Sequence, residues 1–510
     1  MTSAIPATTS SIKDELATIN LGDKRLNKRA ALVVEKLFSN PTASFPKACK
    51  GMGETMGTYR FFDHENVTWD KILAPHWECA EQRAKAYPVV LVPQDTTTLD
   101  YNGQQIRGLG QLSYPAQRGM YLHATLMITP EREALGVVDA WMYTRALSAE
   151  QLAKLPPVPV TKKSAKRMAK SAQSAASATT GTSEASGASA PTEIAPASAQ
   201  STTKESTRWI EGYDRVADMA ERLAPTTRVV YIADREGDIL ALMKRAQERG
   251  NPADWLVRAQ HDRKLHEGEK LWDSVAATEP LGVITFNLVA KKGEKARTIK
   301  QEIRVKAVML GKGGKIAATC LIATEVGAPP DTEPVCWRLL TNRSATTLDQ
   351  AVELIDWYRA RWEIEIFFHV LKNGCTVEKM QLDTIEKIQN ALAMYMVVAW
   401  RIMYLMRMGR TCPDLSADLV FEPDEIRVAY LLREKEAPKD RLPTINEVLR
   451  LVAQIGGFLA RKGDGEPGVQ TIWRGIQELR VAVTTVRVLR KLGHLKPGEL
   501  DQNESGGTCV

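Results

Sequence analysis

The sequence predicts an α/β protein: a mixed sheet with helical regions at both ends and a strand-rich insertion. Three observations lead there. Short apolar runs end in acids at 89–95 and 228–234, and the second is followed by a helical pattern and a further strand, the alternation of a partly parallel sheet. Residues 12–85, and nearly everything from 347 to about 492, space their apolar side chains as helices do. From about 263 to 342 the chain is strand-rich, with a hairpin in VITFNLVAKKGEKARTIKQEIRVKAVML. A length of 510 residues leaves room for about three domains and a sizeable core.

In LGDKRLNKRAALVVEKLF, Leu26, Ala30, Val33, Val34 and Leu37 recur at helical spacing. Lys24, Arg25, Lys28 and Arg29 gather near its start, a cluster that suits either a phosphate backbone or a solvated face. VVLVPQD (89–95), MYLHATLMIT (120–129) and ALGVVDAWMY (134–143) are strands, and Pro93, which lacks an N–H, is expected at a strand end or bulge. Residues 156–207 are Ser, Ala, Thr and Pro with almost no large apolar side chain, so they predict a disordered insertion with a basic front edge. Order resumes in the amphipathic helix 209–224, the strand 228–234, a helix to about Arg249 and the strand 255–260. The hairpin tip at Lys291, Lys292, Lys295 and Arg297 is basic, and the last residues from 496 are expected to be loose.

The net charge of +7 permits an anionic partner without requiring one. Seven dispersed cysteines form no C-x-x-C pair, which argues for a reducing compartment and against a zinc knuckle or disulfide framework. The first residues lack the basic and apolar regions of a secretory signal. The most apolar stretch, 391–408, is broken by Arg401 and Arg407 and predicts a buried helix rather than a membrane span. A cytoplasmic protein is expected. GMG at 51–53 and GKGGK at 311–315 lack the flanking pattern of a phosphate loop.

Chemistry concentrates in DWYRARWEIEIFFHVLKNG (356–374). On an ideal helix Tyr358, Arg361, Glu365 and Lys372 fall within a wedge of about 60°. A solvated stripe of intrahelical ion pairs would give the same spacing. Two further acids, Asp95 and Asp234, stand at predicted strand ends, where α/β proteins place ligands and also helix caps. Three carboxylates from two strands and a helix would supply hard oxygen ligands for two Mg²⁺ ions at a phosphodiester.

These residues resemble the DDE transposases of bacterial insertion sequences, in particular the Tn-five transposase branch of the IS-four group. That family's Y-(2)-R-(3)-E-(6)-K signature is met by Tyr358, Arg361, Glu365 and Lys372, its DREADI-like segment by Asp234-Arg235-Glu236-Gly237-Asp238-Ile239, and its first acid by Asp95-Thr96-Thr97. LGDKRLNKRA, TYRFFDHENV and IGGFLARKGDGEPGVQTIWRGIQEL extend the likeness in patches from about 20 to 480. The resemblance implies an RNase H-like, retroviral integrase-like core in which Asp95, Asp234 and Glu365 are catalytic and hold two Mg²⁺, with Mn²⁺ able to substitute. It also implies that Tyr358, Arg361, Lys372 and Arg258 contact DNA near the scissile bond. Trp337 would be a platform for a flipped base, although a core tryptophan between strands fits equally. Arg25, Arg29, Tyr59 and Arg60 fall on the implied end-binding region. The sequence departs from the pattern at Ile366, in place of an acid, at Phe368, in place of a histidine, and in the 156–207 insertion.

The expected organisation is a helical DNA-end-binding domain (1–85), a catalytic core (86–373) interrupted at 156–207 and 263–342 with a catalytic helix over 347–373, a helical dimerisation domain (374–495) and a tail (496–510). The expected function is a cut-and-paste transposase acting on double-stranded DNA as a homodimer, bacterial and nucleoid-associated when bound, with no membrane partner. A catalytically silent DNA-binding regulator and a structure-selective nuclease on the same core are the alternatives.

Overall fold

The computed structural model of the chain describes residues 11–114, 116–145, 206–266, 268–288, 297–330 and 332–495. The 156–207 insertion up to residue 205 with its basic edge, the hairpin-tip residues Lys291, Lys292 and Lys295, and the tail from 496 lie outside the described residues. Positions 206 and 207 already belong to a helix.

A 3-10 turn at Ile12–Leu16 precedes α1 (Lys24–Ser39), α2 (Phe45–Cys49), α3 (Met52–Phe62) and α4 (Trp69–Ala84). α1 starts where the Asp23 side chain accepts the Arg25 backbone N–H at 2.8 Å, satisfying one of the free amides of the first turn. The sheet then builds from β1 (Val89–Asp100), β2 (Gly110–Gln111), β3 (Arg118–Ile128) and β4 (Ala134–Tyr143). After α5 (Ser206–Leu223) come β5 (Arg228–Ala233), α6 (Leu240–Glu248) and β6 (Asp254–Arg258). The insertion adds a short helix, α7 (Leu271–Ala276), which the strand-rich expectation missed, then β7 (Gly282–Leu288), β8 (Arg297–Leu310), β9 (Ile316–Glu325) and β10 (Cys336–Thr341).

The ten strands form one sheet in the order β2-β3-β1-β5-β6-β10-β9-β8-β7, with β4 also paired to β3. β4, β3 and β1 are antiparallel, whereas β5 and β6 run parallel to β1 on its other side. This is an RNase H-like sheet, extended by the antiparallel β10-β9-β8-β7. β5 explains its central place: Val229, Tyr231 and Ala233 face one core and Val230 and Ile232 the other, all buried.

Two details differ from expectation. β1 does not stop at Asp95 but continues to Asp100, because its pairing with β3 runs on after its pairing with β5 ends at Pro93. Asp95 therefore sits where the sheet divides, not at a strand terminus. Pro93 is inside the strand, in register with Ile232 of β5, and the β3 ladder skips Val92 and Pro93, where no proline N–H is available.

The expected single helix over 347–373 is also divided. α8 (Leu348–Ala360) ends at Arg361 and α9 (Trp362–His369) begins beyond it, with tight three-residue bonds from Arg361 N to Tyr358 O and from Ile364 N to Arg361 O. A π turn follows at Val370–Gly374, closed by Cys375 N to Val370 O at 2.8 Å. The remaining helices are α10 (Ile385–Thr411), α11 (Pro423–Leu432), α12 (Ile445–Ile455) and α13 (Val469–Lys491). α10 is long and apolar enough to cross a membrane, but its apolar window is almost wholly buried inside the protein.

One apolar core runs from Ile12 through the sheet to Val483. The amino-terminal turn is fastened to it by a buried charge cluster. Glu15 Oε1 takes Arg83 Nη1 at 2.7 Å, Glu15 Oε2 meets His76 Nδ1 at 2.6 Å, and the amide of Val137 in β4 donates to His76 Nε2 at 3.0 Å. Burial alone would raise the Glu15 carboxyl, but the bonds from His76 and Arg83 outweigh it and hold it down at about 2.

Candidate active site

The site forms where α9 crosses the divided end of β1. Arg361, at the break between α8 and α9, donates from Nη1 to Asp95 Oδ2 at 3.0 Å and from Nη2 to Glu365 Oε1 at 2.7 Å. The backbone N–H of Thr96 donates to the other Asp95 oxygen, Oδ1, at 2.7 Å. Asp234, directly after β5, caps a 3-10 turn by accepting the Glu236 N–H at 2.8 Å, so the capping role and proximity to the other acids coexist. Glycine at 237 is needed there: a Cβ would come within 2.3 Å of Ala233 Cβ.

Electrostatics tie the three acids together. Burial pushes the Asp95 carboxyl up to about 6; Arg361 and the Thr96 amide pull the other way, and the charges of Asp234 and Glu365 push it higher. Tyr358 is buried and its hydroxyl is raised, by burial first, with Arg361 and Arg258 opposing. Asp95, Asp234, Glu365, Arg361, Tyr358 and Arg258 therefore share one neighbourhood. Lys372 stands on the π turn, 3.8 Å from Glu378, whose carboxylate also accepts the Asp100 backbone N–H at 2.9 Å.

Trp337 is half-buried on β10 and stacks on Phe286 of β7, with ring centroids 6.2 Å apart and planes at 27°. Arg359 of α8 lies over Phe286, 5.5 Å from its centroid. β7 and β10 are separated in the sheet by β8 and β9, so this pairing requires the sheet to curl. Trp337 thus packs against the main core while staying partly exposed.

The amino-terminal residues are apart from this cluster. Arg25 is exposed beside Asp23, and Arg60 is exposed on α3. Arg29 is paired with Glu54 at 2.6 Å and packs against Gly57. Tyr59 is half-buried, edge-on to Phe45 at 5.8 Å.

Several supporting residues had no local signal. Glu363, between Arg361 and Glu365, is buried and ion-paired to Arg407, tying α9 to α10. Asp238 is buried and accepts from the Gln260 and His261 amides at 2.7 and 3.0 Å and from Arg263, tying the loop after β6 to the Asp234 turn. Gln94 bonds Thr125 and Tyr231, and Gly212 lets α5 approach it: a Cβ there would lie 2.1 Å from Gln94 Nε2. His123 holds Thr96 Oγ1 at 2.6 Å. Ile366 and Phe368, the two departures from the family pattern, pack on the main core.

The acids offer the hard oxygen donors a divalent ion requires. As arranged, however, no group of three or more His, Cys, Asp and Glu side chains among the described residues is disposed to hold a metal. The cation between Asp95 and Glu365 is Arg361. The donor chemistry fits the ion, and the guanidinium occupies its oxygens.

Three family models match the chain: a transposase DNA-binding model over residues 9–67, a transposase DDE domain over 199–401, and a Tn5 transposase dimerisation domain over 397–494. The DDE match spans Asp234 and Glu365 but begins after Asp95. Among solved structures, a cryo-EM structure of the piggyBac transposase synaptic complex with hairpin DNA is 8% identical, with a TM-score of 0.36 over 98% of this chain and 83% of that one.

Proposed function

The chain belongs to the Tn5-type DDE transposases, and on that premise we propose that it is a cut-and-paste enzyme that binds terminal inverted repeats, cleaves at the transposon end and joins the freed 3′ ends to target DNA. The observation that carries the reading is the bridging of Asp95 and Glu365 by Arg361, with Asp234 near enough to act on the charge of Asp95, and Asp234 and Arg258 on that of Tyr358.

In this reading Asp95, Asp234 and Glu365 hold two Mg²⁺, replaceable by Mn²⁺, which when bound supply Lewis-acid polarisation of the phosphodiester and stabilise the leaving oxygen. The chain's own residues set the geometry. Arg361 is suited to a bidentate grip on a phosphate, Lys372 and Arg258 add point charge, and the Tyr358 hydroxyl donates. Water attacks phosphorus, the P–O3′ bond breaks, and the released 3′ hydroxyl attacks the opposite strand to give a hairpin. Trp337 would stack the base that the hairpin extrudes, offsetting lost stacking by about 1–3 kcal/mol. Opening of the hairpin by water regenerates the 3′ hydroxyl that attacks target DNA.

Two protomers act together in this account. Val481 and Val488 of α13 and Leu492 just beyond it, within the matched dimerisation region, are exposed apolar side chains, and Val481 lines a groove of about 470 Å³ between α11, α12 and α13. Their burial in a second copy would complete the synaptic complex, in the cytoplasm and on the nucleoid.

Incubating the purified protein and Mg²⁺ with duplexes carrying the flanking inverted repeats, and with branched DNA of unrelated sequence, tests the reading. Cleavage at the repeat end and strand joining are expected. Cleavage confined to branched DNA would indicate a nuclease, and binding with no cleavage a silent regulator.

A further inference from the structure

We infer that Arg361 is the stand-in cation of the metal-free site, and that a divalent ion displaces it from the acids onto DNA phosphate, so that metal and DNA binding strengthen each other. This rests on the reading of Asp95, Asp234 and Glu365 as metal ligands.

The competition is for particular atoms. Asp95 Oδ1 is engaged by the Thr96 amide, and its other oxygen, Oδ2, is held by Arg361 Nη1; Arg361 Nη2 holds Glu365 Oε1. An ion shared by these two acids needs the oxygens the guanidinium now holds. Two cations a few ångströms apart also repel strongly in a half-buried setting. The Arg361 side chain is only 11% exposed, so the bridge is not a loose surface pair.

Two acids close to Arg361 in the sequence are already taken. Glu363 is committed to Arg407, and Asp356 to Arg132 at 2.8 Å. A DNA phosphate is the natural replacement, because a guanidinium fork matches two phosphate oxygens as well as it matches carboxylates. Paired with the acids, Arg361 is withheld from substrate; displaced by an ion, it would be released to it. Linkage then makes the effect reciprocal: if metal raises DNA affinity, DNA raises metal affinity by the same factor.

Two measurements on the full-length protein decide this. Mn²⁺ binding without DNA, read by calorimetry and electron paramagnetic resonance, should be about tenfold tighter in Arg361→Gln than in wild type, because the site no longer has to be vacated first. The gain should vanish when Asp95→Asn is added. Equal or weaker Mn²⁺ binding by a normally melting Arg361→Gln variant overturns the inference. Independently of any Arg361 variant, the affinity of wild type for a duplex of generic sequence, measured at constant ionic strength, should rise about tenfold when Ca²⁺ is added. Indifference to Ca²⁺ overturns it. Failure of wild type to cut repeat-end DNA is a separate result, which would sink the transposase reading itself.

Discussion

Replacing Asp95 with Asn isolates the electrostatic state of the metal-free site. Burial, with the added push of Asp234 and Glu365, raises the folded carboxyl to about 6 against the pull of Arg361 and the Thr96 amide. An unfolded aspartate titrates near about 3.9. Between these values the folded chain holds more proton at this position than the unfolded chain does, so stability is full below about pH 4 and is lost as pH rises through 6. A difference of about two units at about 1.36 kcal/mol each gives a loss of up to about 3 kcal/mol. The side chain is 20% exposed, so solvent screens little of it. Asn has no proton to lose. Urea unfolding in chelator at several pH values should therefore find the variant gaining on wild type by up to about 3 kcal/mol between about pH 4 and pH 7. A difference that stays flat, or that moves toward wild type, would refute the picture of an under-compensated buried acid.

Glu15→Gln should cost about 3–5 kcal/mol, because it leaves Arg83 buried without its counter-charge and weakens the acceptor of His76 Nδ1; a loss under about 1 kcal/mol in urea unfolding would mean the cluster is not a fastening. Glu363→Gln should slow end cleavage about tenfold by loosening the catalytic helix on α10 while DNA affinity holds, and an unchanged cleavage rate would show that Arg407 does not anchor it. Binding to repeat-end DNA should weaken steeply with salt, and alanine at Lys24, Arg25 and Lys28 should reduce the log–log slope by up to about 3. An affinity flat from low to moderate salt would contradict phosphate contact by that segment.

Much of the fold was legible because local pattern and burial agree. The alternating and β-branched runs gave the strands, and the second strand is buried on both faces as a central parallel strand should be. The spacing of Tyr358, Arg361 and Glu365 pointed to one neighbourhood, and the folded chain brings them together. The ideal-helix projection was nevertheless wrong in form: the helix breaks at Arg361 and widens into a π turn near Lys372. A pattern of apolar residues cannot separate a four-residue from a five-residue backbone bond. Pro93 misled for a related reason, since its effect depends on which neighbouring ladder needs the missing N–H.

What stayed hidden depends on long-range approach. Glu15 meets Arg83 across 68 residues and Gln94 meets Tyr231 across 137. The stacking of Phe286 on Trp337 follows from the curl of four strands, which no window of sequence contains. The bridging position of Arg361 is of the same kind. Its place in the signature was readable, but the Asp95 oxygen it occupies lies 266 residues earlier in the chain.

The central claim is that these three acids cut DNA. Glu365→Ala, assayed with Mg²⁺ on a duplex carrying the repeat end, should lose nicking while retaining end binding in a gel-shift measurement. Nicking at the wild-type rate by that variant would contradict the account.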